Sequence, residues 1–185
     1  MPVSGPNFAG AVGTQGAGWT LGANAVGSVE TSCAENADTA NAAFWNTYGF
    51  AIPTGNTING IQVEFKASWD ADPRLISTVN VGKNETTLGT AKVPGALPEA
   101  VCGAGQTIFS LGGGADLWGL TWTPAEINAA SFTARFAGDA VGGSIFLNWI
   151  RITITHTAGA GALLGDEGEY LPRGQTSEFV TTVYS

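Results

Sequence analysis

Between Ile58 and Trp69 the chain reads Ile-Asn-Gly-Ile-Gln-Val-Glu-Phe-Lys-Ala-Ser-Trp, and from Ile61 onward apolar and polar residues alternate without a break. Successive side chains of a strand point to opposite faces, so this period of two predicts a strand with one buried and one wet face. Ile61, Val63, Phe65, Ala67 and Trp69 form the inward set; Gln62, Glu64, Lys66 and Ser68 form the outward one. A second long strand is predicted over Ser144–Thr157, where Ile150, Ile152 and Ile154 alternate with Arg151, Thr153 and Thr155. Its density of β-branched residues suits a pleated, half-buried surface. Earlier in that run, Ile145, Leu147 and Trp149 fall on the face opposite Ile150. A side that apolar predicts a cover, either an arm of the chain or a neighbouring subunit.

Shorter strands are expected at Ser28–Cys33, Leu75–Val81, Thr107–Leu111 and Phe132–Phe136. Pro53 and Gly55 in Ile52-Pro53-Thr54-Gly55-Asn56 signal a turn. A strand near Ala43–Ile52 would make an antiparallel hairpin with Ile58–Trp69 across that turn. Asp70–Arg74, with Pro73, breaks the chain between strands. The one helical signal is Thr123-Pro124-Ala125-Glu126-Ile127-Asn128, with Thr123 as cap, Pro124 in the first helical position and Glu126 closing a capping box. Six to eight strands with glycine-rich turns and a single short helix predict an all-β fold, an antiparallel β-sandwich of jelly-roll type. Residues 1–27 are rich in Gly and Ala, with isolated Trp19 and Leu21, and read as an N-terminal arm. Residues 28–157 read as the sandwich domain and 158–185 as a C-terminal arm that begins with a Gly/Ala hinge.

Composition sharpens this picture. The chain has 185 residues and a mass of 18.8 kDa, enough to bury a core in one domain. Charged residues make up 12% of it, about half the usual share. Seven Lys plus Arg against fifteen Asp plus Glu give a net charge of −8. Lys66, Arg74, Lys83, Lys92, Arg135, Arg151 and Arg173 are scattered, so no basic stripe exists to neutralise phosphates, and a nucleic-acid partner is not expected. No window approaches the roughly 18 apolar residues of a membrane helix. Residues 1–17 lack the cationic start and apolar run of a secretion signal, so the expectation is a soluble chain made in the host cytoplasm.

The residues that carry chemistry are sparse. His156 is the sole histidine and falls near the end of a strand, where a surface or core-edge role is expected rather than a catalytic triad. Glu64, Asp70, Asp72, Asp116, Glu126 and Asp139 could be drawn into carboxylate pairs, but no spacing singles out two. Asp70 and Asp72 lack the dense oxygen ladder of a calcium loop. Gly112-Gly113-Gly114 lacks the Lys-Ser or Lys-Thr of a phosphate cradle, and Asn84-Glu85-Thr86 is a bare glycosylation sequon. No cofactor, metal site or catalytic residue is expected, and no enzyme activity. Cys33 and Cys102 read first as two small buried hydrophobes, with a disulfide closing the long loop as the alternative. Trp19, Trp45, Trp69, Trp118, Trp122 and Trp149 are expected chiefly in the core, with subunit contact or sugar stacking as other uses.

Three blocks of the sequence carry a resemblance. The segment from Tyr48 to Glu64, with Gly49-Phe50-Ala51-Ile52-Pro53-Thr54-Gly55 at its start, is similar to a recurrent segment of tailed-phage structural proteins. Asp116-Leu117-Trp118-Gly119-Leu120-Thr121-Trp122-Thr123-Pro124, continuing to Asn128, resembles a second block of that family, and Ile150-Arg151-Ile152-Thr153-Ile154 its closing strand. The blocks span about residues 43–157 in the family's order. Tyr48 stands where the family has Phe, and Asn148-Trp149 where it has Asp and a polar residue. The resemblance implies a virion component, most specifically a capsid decoration protein, and carries over no catalytic site. Its partners would be the major capsid protein and neighbouring copies of itself, with head-fibre, tail or surface-glycan binding as alternatives. The residues expected to meet partners are Trp19, Trp149, Phe179, Val180, Val183 and Tyr184. The run Ser177–Ser185 has strand composition and is expected either to add to the edge of an adjacent chain or to tuck against its own domain.

Overall fold

The structure is a computed structural model and describes residues 1–28, 30–37, 40–70, 75–139 and 143–159. The two long strands predicted from alternation lie side by side at its centre: β6 (Thr57–Trp69) and β10 (Ser144–Thr157) run antiparallel along their whole lengths. Around them stand β1 (Val3–Phe8), β2 (Ala11–Gln15), β3 (Trp19–Thr20), β4 (Ala34–Ala37), β5 (Ala42–Asn46), β7 (Ile76–Gly82), β8 (Thr107–Gly113) and β9 (Thr133–Gly138). One sheet has the order β3-β4-β10-β6-β8, with β1 also paired to β10; the other has the order β2-β5-β9-β7. All these pairings are antiparallel. The fold is therefore an all-β antiparallel sandwich.

The core lies between the sheets. Ile61, Val63, Phe65 and Ala67 on β6 meet Trp45 on β5, Val79 and Val81 on β7, and Ala134 and Phe136 on β9. Edge-to-face aromatic contacts run through it, with centroids 5.4 Å apart for Trp19–Trp45, 5.7 Å for Trp45–Phe136 and 5.0 Å for Phe65–Phe136. Each such contact contributes about 0.5–1.5 kcal/mol beyond area burial.

β10 departs from simple alternation, and the reason is a bulge. Leu147 faces Ala67 and Trp149 faces Lys66, which leaves Asn148 unopposed. One extra residue reverses the phase of a strand. Ile145 and Leu147 before the bulge and Ile150, Ile152 and Ile154 after it therefore all point into the core. The apolar second face expected at Ile145 and Leu147 does not exist; of that set, only Trp149 stays outside the core cluster.

The predicted hairpin is also corrected. β5 belongs to the four-stranded sheet and β6 to the six-stranded one, so residues 47–56 carry the chain from one sheet to the other. That crossover is held from outside. Asn128 accepts from the Ile52 N–H and donates to the Ile52 carbonyl, both at 2.9 Å, doing what a neighbouring strand would otherwise do. Asn7 donates to the Tyr48 carbonyl. Asn128 ends the short helix α1 (Pro124–Asn128), whose capping box between Thr123 and Glu126 forms as predicted.

The N-terminal segment is not an arm. β1 pairs with β10 from Val3 opposite Thr155 to Phe8 opposite Arg151, and β2 then pairs with β5 in the other sheet. Residues 1–27 thus build both layers. The described residues of Ser28–Cys33 form no strand; β4 starts at Ala34, because the preceding carbonyls are held by side chains, Cys33 by Asn24 and Ser32 by Asn148. Cys33 and Cys102 form a disulfide, so the reading as two separate hydrophobes is replaced by the alternative.

The second resembling block closes one end of the sandwich. Gly112 has φ +75°, and a Cβ there would come within 2.3 Å of the Ile61 carbonyl and 2.8 Å of the Trp118 ring nitrogen. The empty space lets the fully buried Trp118 donate to the Ile61 carbonyl at 2.9 Å. Trp118 itself sits at φ 56°, and Asp116 accepts from its N–H at 2.8 Å to hold that turn. Lys92 pairs with Asp116 at 2.7 Å and lies over the Trp118 ring. Among the described residues no helix is long and apolar enough to cross a membrane.

Candidate functional site

The side chains that could support catalysis are each bound to separate structural partners. His156 is buried at the core edge, as expected. Asn56 uses its Oδ1 to accept from the Gly159 N–H, so its amide nitrogen faces His156 Nδ1 at 3.0 Å. Nδ1 is then the acceptor, and Nε2–H is left to donate to Ser4 Oγ at 3.0 Å. Glu64 pairs with Arg151, Glu126 with Lys83 and Asp116 with Lys92. Glu85 accepts from the Thr14 N–H and Asp139 from the Leu75 N–H. Asp70 and Glu35 converge on Ser144, one at its N–H and the other at its hydroxyl, where they fix the start of β10. Asp72 lies outside the described residues. Among the described residues no group of three or more His, Cys, Asp or Glu is placed to hold a metal.

The tryptophans turn inward. Trp19, Trp45, Trp118, Trp122 and Trp149 are buried and Trp69 is half-buried. Trp19 packs on Trp45 and donates to the Asn41 carbonyl, so it belongs to the core and not to a partner surface. Trp149 is 3% exposed. Phe8 lies edge-on to it with centroids 5.8 Å apart, the Arg151 guanidinium lies 4.9 Å from its ring, and its N–H donates to Glu30. Its expected cover is therefore the chain's own N-terminal strand, and Trp149 is not free for a second subunit. Phe179, Val180, Val183 and Tyr184 lie outside the described residues.

Among the described residues two surfaces remain open. The first is the outward side of the four-stranded sheet, where half-buried Phe44 stands opposite Arg135. The Arg135 guanidinium donates to Thr78 Oγ1 and Asn80 Oδ1, both at 3.0 Å. The second is the outer edge of β8. Its inner edge pairs with β6 from Ala67–Thr107 to Ile61–Gly113 without a register shift. Among the described residues its outer edge has no backbone hydrogen-bond partner. Phe109 and Leu111 face the core, while Thr107, Ile108, Ser110 and Gly112 are exposed, Ile108 by 52%.

Other edges are managed. The β7 edge is covered by residues 88–92, with Val79 and Lys92 exchanging N–H···O=C bonds of 2.7 and 2.8 Å. β1 carries Pro6 and a register shift, β2 a register shift with its Thr14 N–H donating to Glu85, and β3 is two residues long. β8 has none of the usual guards, since Thr-Ile-Phe-Ser-Leu-Gly-Gly contains no charge and no proline. That absence was the available signal in the sequence, and strand prediction alone passes over it.

No family model matches the chain. No curated protein matches it either. Among solved structures, it is similar to a xylan-binding module, CBM15, at 11% identity and a TM-score of 0.38, over 83% of this chain and 93% of that one. It is also similar to the CBM22-1 and GH10 modules of endo-1,4-beta-D-xylanase 10B from Clostridium thermocellum, complexed with xylohexaose. There the identity is 15% and the TM-score 0.35, over 68% of this chain and only 22% of that one. Likenesses this remote place no ligand on either open surface, and the site is read from its own geometry.

Proposed function

We propose that this chain is a structural protein of a tailed-phage virion, a decoration protein that sits on the outer capsid surface and stabilises the shell through repeated weak contacts. The observation that supports this reading most is how little reactive surface the described residues leave: tryptophans inward, carboxylates tied to cations or backbone, and a neutral strand edge open to a partner. The blocks that resemble phage structural proteins are also those that close the sandwich, through Asn128 on Ile52 and Trp118 on Ile61. Contacts of that modest kind hold a shell because a lattice multiplies them. Quantitative gels of purified virions test the proposal. A band in fixed ratio to the major capsid protein is expected; a few copies per particle would point to a fibre or tail component, and absence would overturn the reading.

A second reading rests on Phe44 and Arg135. A half-buried aromatic ring beside a guanidinium, with Thr78 and Asn80 at hand, offers a stacking face and hydrogen-bond donors to a sugar. On this reading the chain is a glycan-binding module of the virion surface. A glycan array spanning cell-wall oligosaccharides, repeated with Phe44→Ala, checks it: binding lost in the variant supports the reading, and an array silent for the intact chain ends it.

A further inference from the structure

We infer that the open edge of β8 is a docking site for the run Phe179–Ser185 of a neighbouring copy of this chain, which adds to the six-stranded sheet as a further antiparallel strand. This concerns two copies of the chain alone and stands independently of the virion reading. Unpaired N–H and C=O groups along an uncharged edge are a template for another strand. Ser110 and its neighbours present such a row, and no charge has to be desolvated when a partner arrives. Phe179-Val180-Thr181-Thr182-Val183-Tyr184-Ser185 is likewise uncharged and rich in β-branched and aromatic residues. In a chain of net charge −8, two neutral segments of matching length are where close approach of copies costs least.

The path of the chain brings a neighbour within reach. The last described residue, Gly159, is tied by its N–H to Asn56. It lies just past Thr157, which pairs with Thr57, at the end of the sheet where Ile61 pairs with both Ile154 and Gly113. From there to the far side of β8 is a sideways step of three strand spacings, about 14 Å at roughly 4.8 Å each. That step is within reach of the chain's own tail as well, so the concentration dependence of exchange decides between one molecule and two. Residues 160–176, at about 3.3 Å each, reach up to about 55 Å. Their Gly-Asp-Glu-Gly-Glu and Pro-Arg-Gly-Gln stretches carry the charges and chain breakers that the run after them lacks.

Hydrogen–deuterium exchange of the amides of residues 107–113 in the full chain tests this, read at low and high protein concentration together with the molar mass in solution. The expected result is exchange slowed by about tenfold or more as concentration rises, in step with formation of species larger than the monomer. The double substitution Val180→Pro and Thr182→Pro, at positions outside the described residues, should abolish both effects. A synthetic peptide of residues 177–185 should restore the protection to that variant. Three results would each overturn the inference: slow exchange that is independent of concentration, which is pairing within one molecule; protection that persists in the proline variant, which is β8 pairing with itself; or fast exchange at every concentration.

Discussion

At the scale of single residues, Tyr48, one of the positions where the chain departs from the pattern it resembles, is also a position of uncompensated polarity. Tyr48 sits in a cluster with Phe50, Phe132 and Trp122, 5.8 Å from the Phe132 ring, and its hydroxyl is buried with no hydrogen-bond partner among the described residues. Burial also pushes its phenol far above the ordinary value, so ionisation offers no escape. The hydroxyl is solvated in the unfolded chain and stripped of water in the folded one, a cost of about 1–3 kcal/mol. Phe keeps the ring contacts and removes that cost. Tyr48→Phe is therefore expected to raise stability by about 1 kcal/mol, or roughly 2–4 °C in melting temperature for a chain of this size. Thermal and urea unfolding check it, and a loss of stability would mean that the hydroxyl has a partner.

At the scale of elements, the disulfide joins the approach to β4 with the approach to β8, two strands on opposite sides of the β10–β6 pair. It spans 69 positions of sequence, and closing a loop of that length restricts the unfolded chain by about 4 kcal/mol in the chain-entropy account. Cys33→Ser, or reduction, should lower the urea midpoint by a corresponding amount. The same protocol on Cys33→Ser in reductant should show no second loss; if it does, reduction acts elsewhere than at this bond. The strands themselves were largely legible. β6, β7, β8, β9 and α1 fall within a residue or two of where alternation, β-branching and the capping box put them. What escaped was whatever depends on a second element. The Asn148 bulge turns two apolar faces into one, and nothing in a period-of-two pattern distinguishes a flipped phase from a two-sided strand. The Tyr48–Asn56 crossover looks like a hairpin until Asn128, seventy-six positions away from Ile52, supplies its hydrogen bonds. Gly- and Ala-rich residues 3–15 look like an arm because their partners on β10 and β5 lie far along the chain. The open surfaces were illegible for the same reason: an edge is defined by what fails to pair with it.

At the scale of the whole molecule, acid should unfold the chain through contact pairs rather than through its net charge. Lys66 hydrogen-bonds Glu30 and outweighs the slight burial that opposes it, helped by the Trp149 N–H, so this carboxyl sits below its ordinary range. Glu126 is lowered chiefly by its bond from Lys83, again against burial, with Thr123 adding two more bonds. For Asp116 burial is the largest single effect and works upward, but Lys92 and the Trp118 N–H together prevail and lower it. The sign follows from proton counting. Near the ordinary carboxylate range the unfolded chain binds more protons than the folded one, so stability rises with pH there; it is complete above the unfolded values and is lost as pH falls through the folded ones. The Glu30 side chain is 56% exposed and those of Glu126 and Asp116 about a third, so each contribution is small and screened. The net charge of −8 pulls the opposite way, because lowering it relieves self-repulsion in the compact state. Salt separates the two. At about 0.5 M it shortens the screening length to about 4 Å, which removes the diffuse repulsion but spares more of the 2.7 Å contacts of Lys83 and Lys92. The melting temperature should then be flat from neutral pH to about pH 5 and fall below it, and Glu126→Gln with Asp116→Asn should flatten the fall while lowering the plateau. A profile that rises on acidification in high salt, or one whose slope the double substitution leaves unchanged, would assign acid sensitivity to carboxylates other than these.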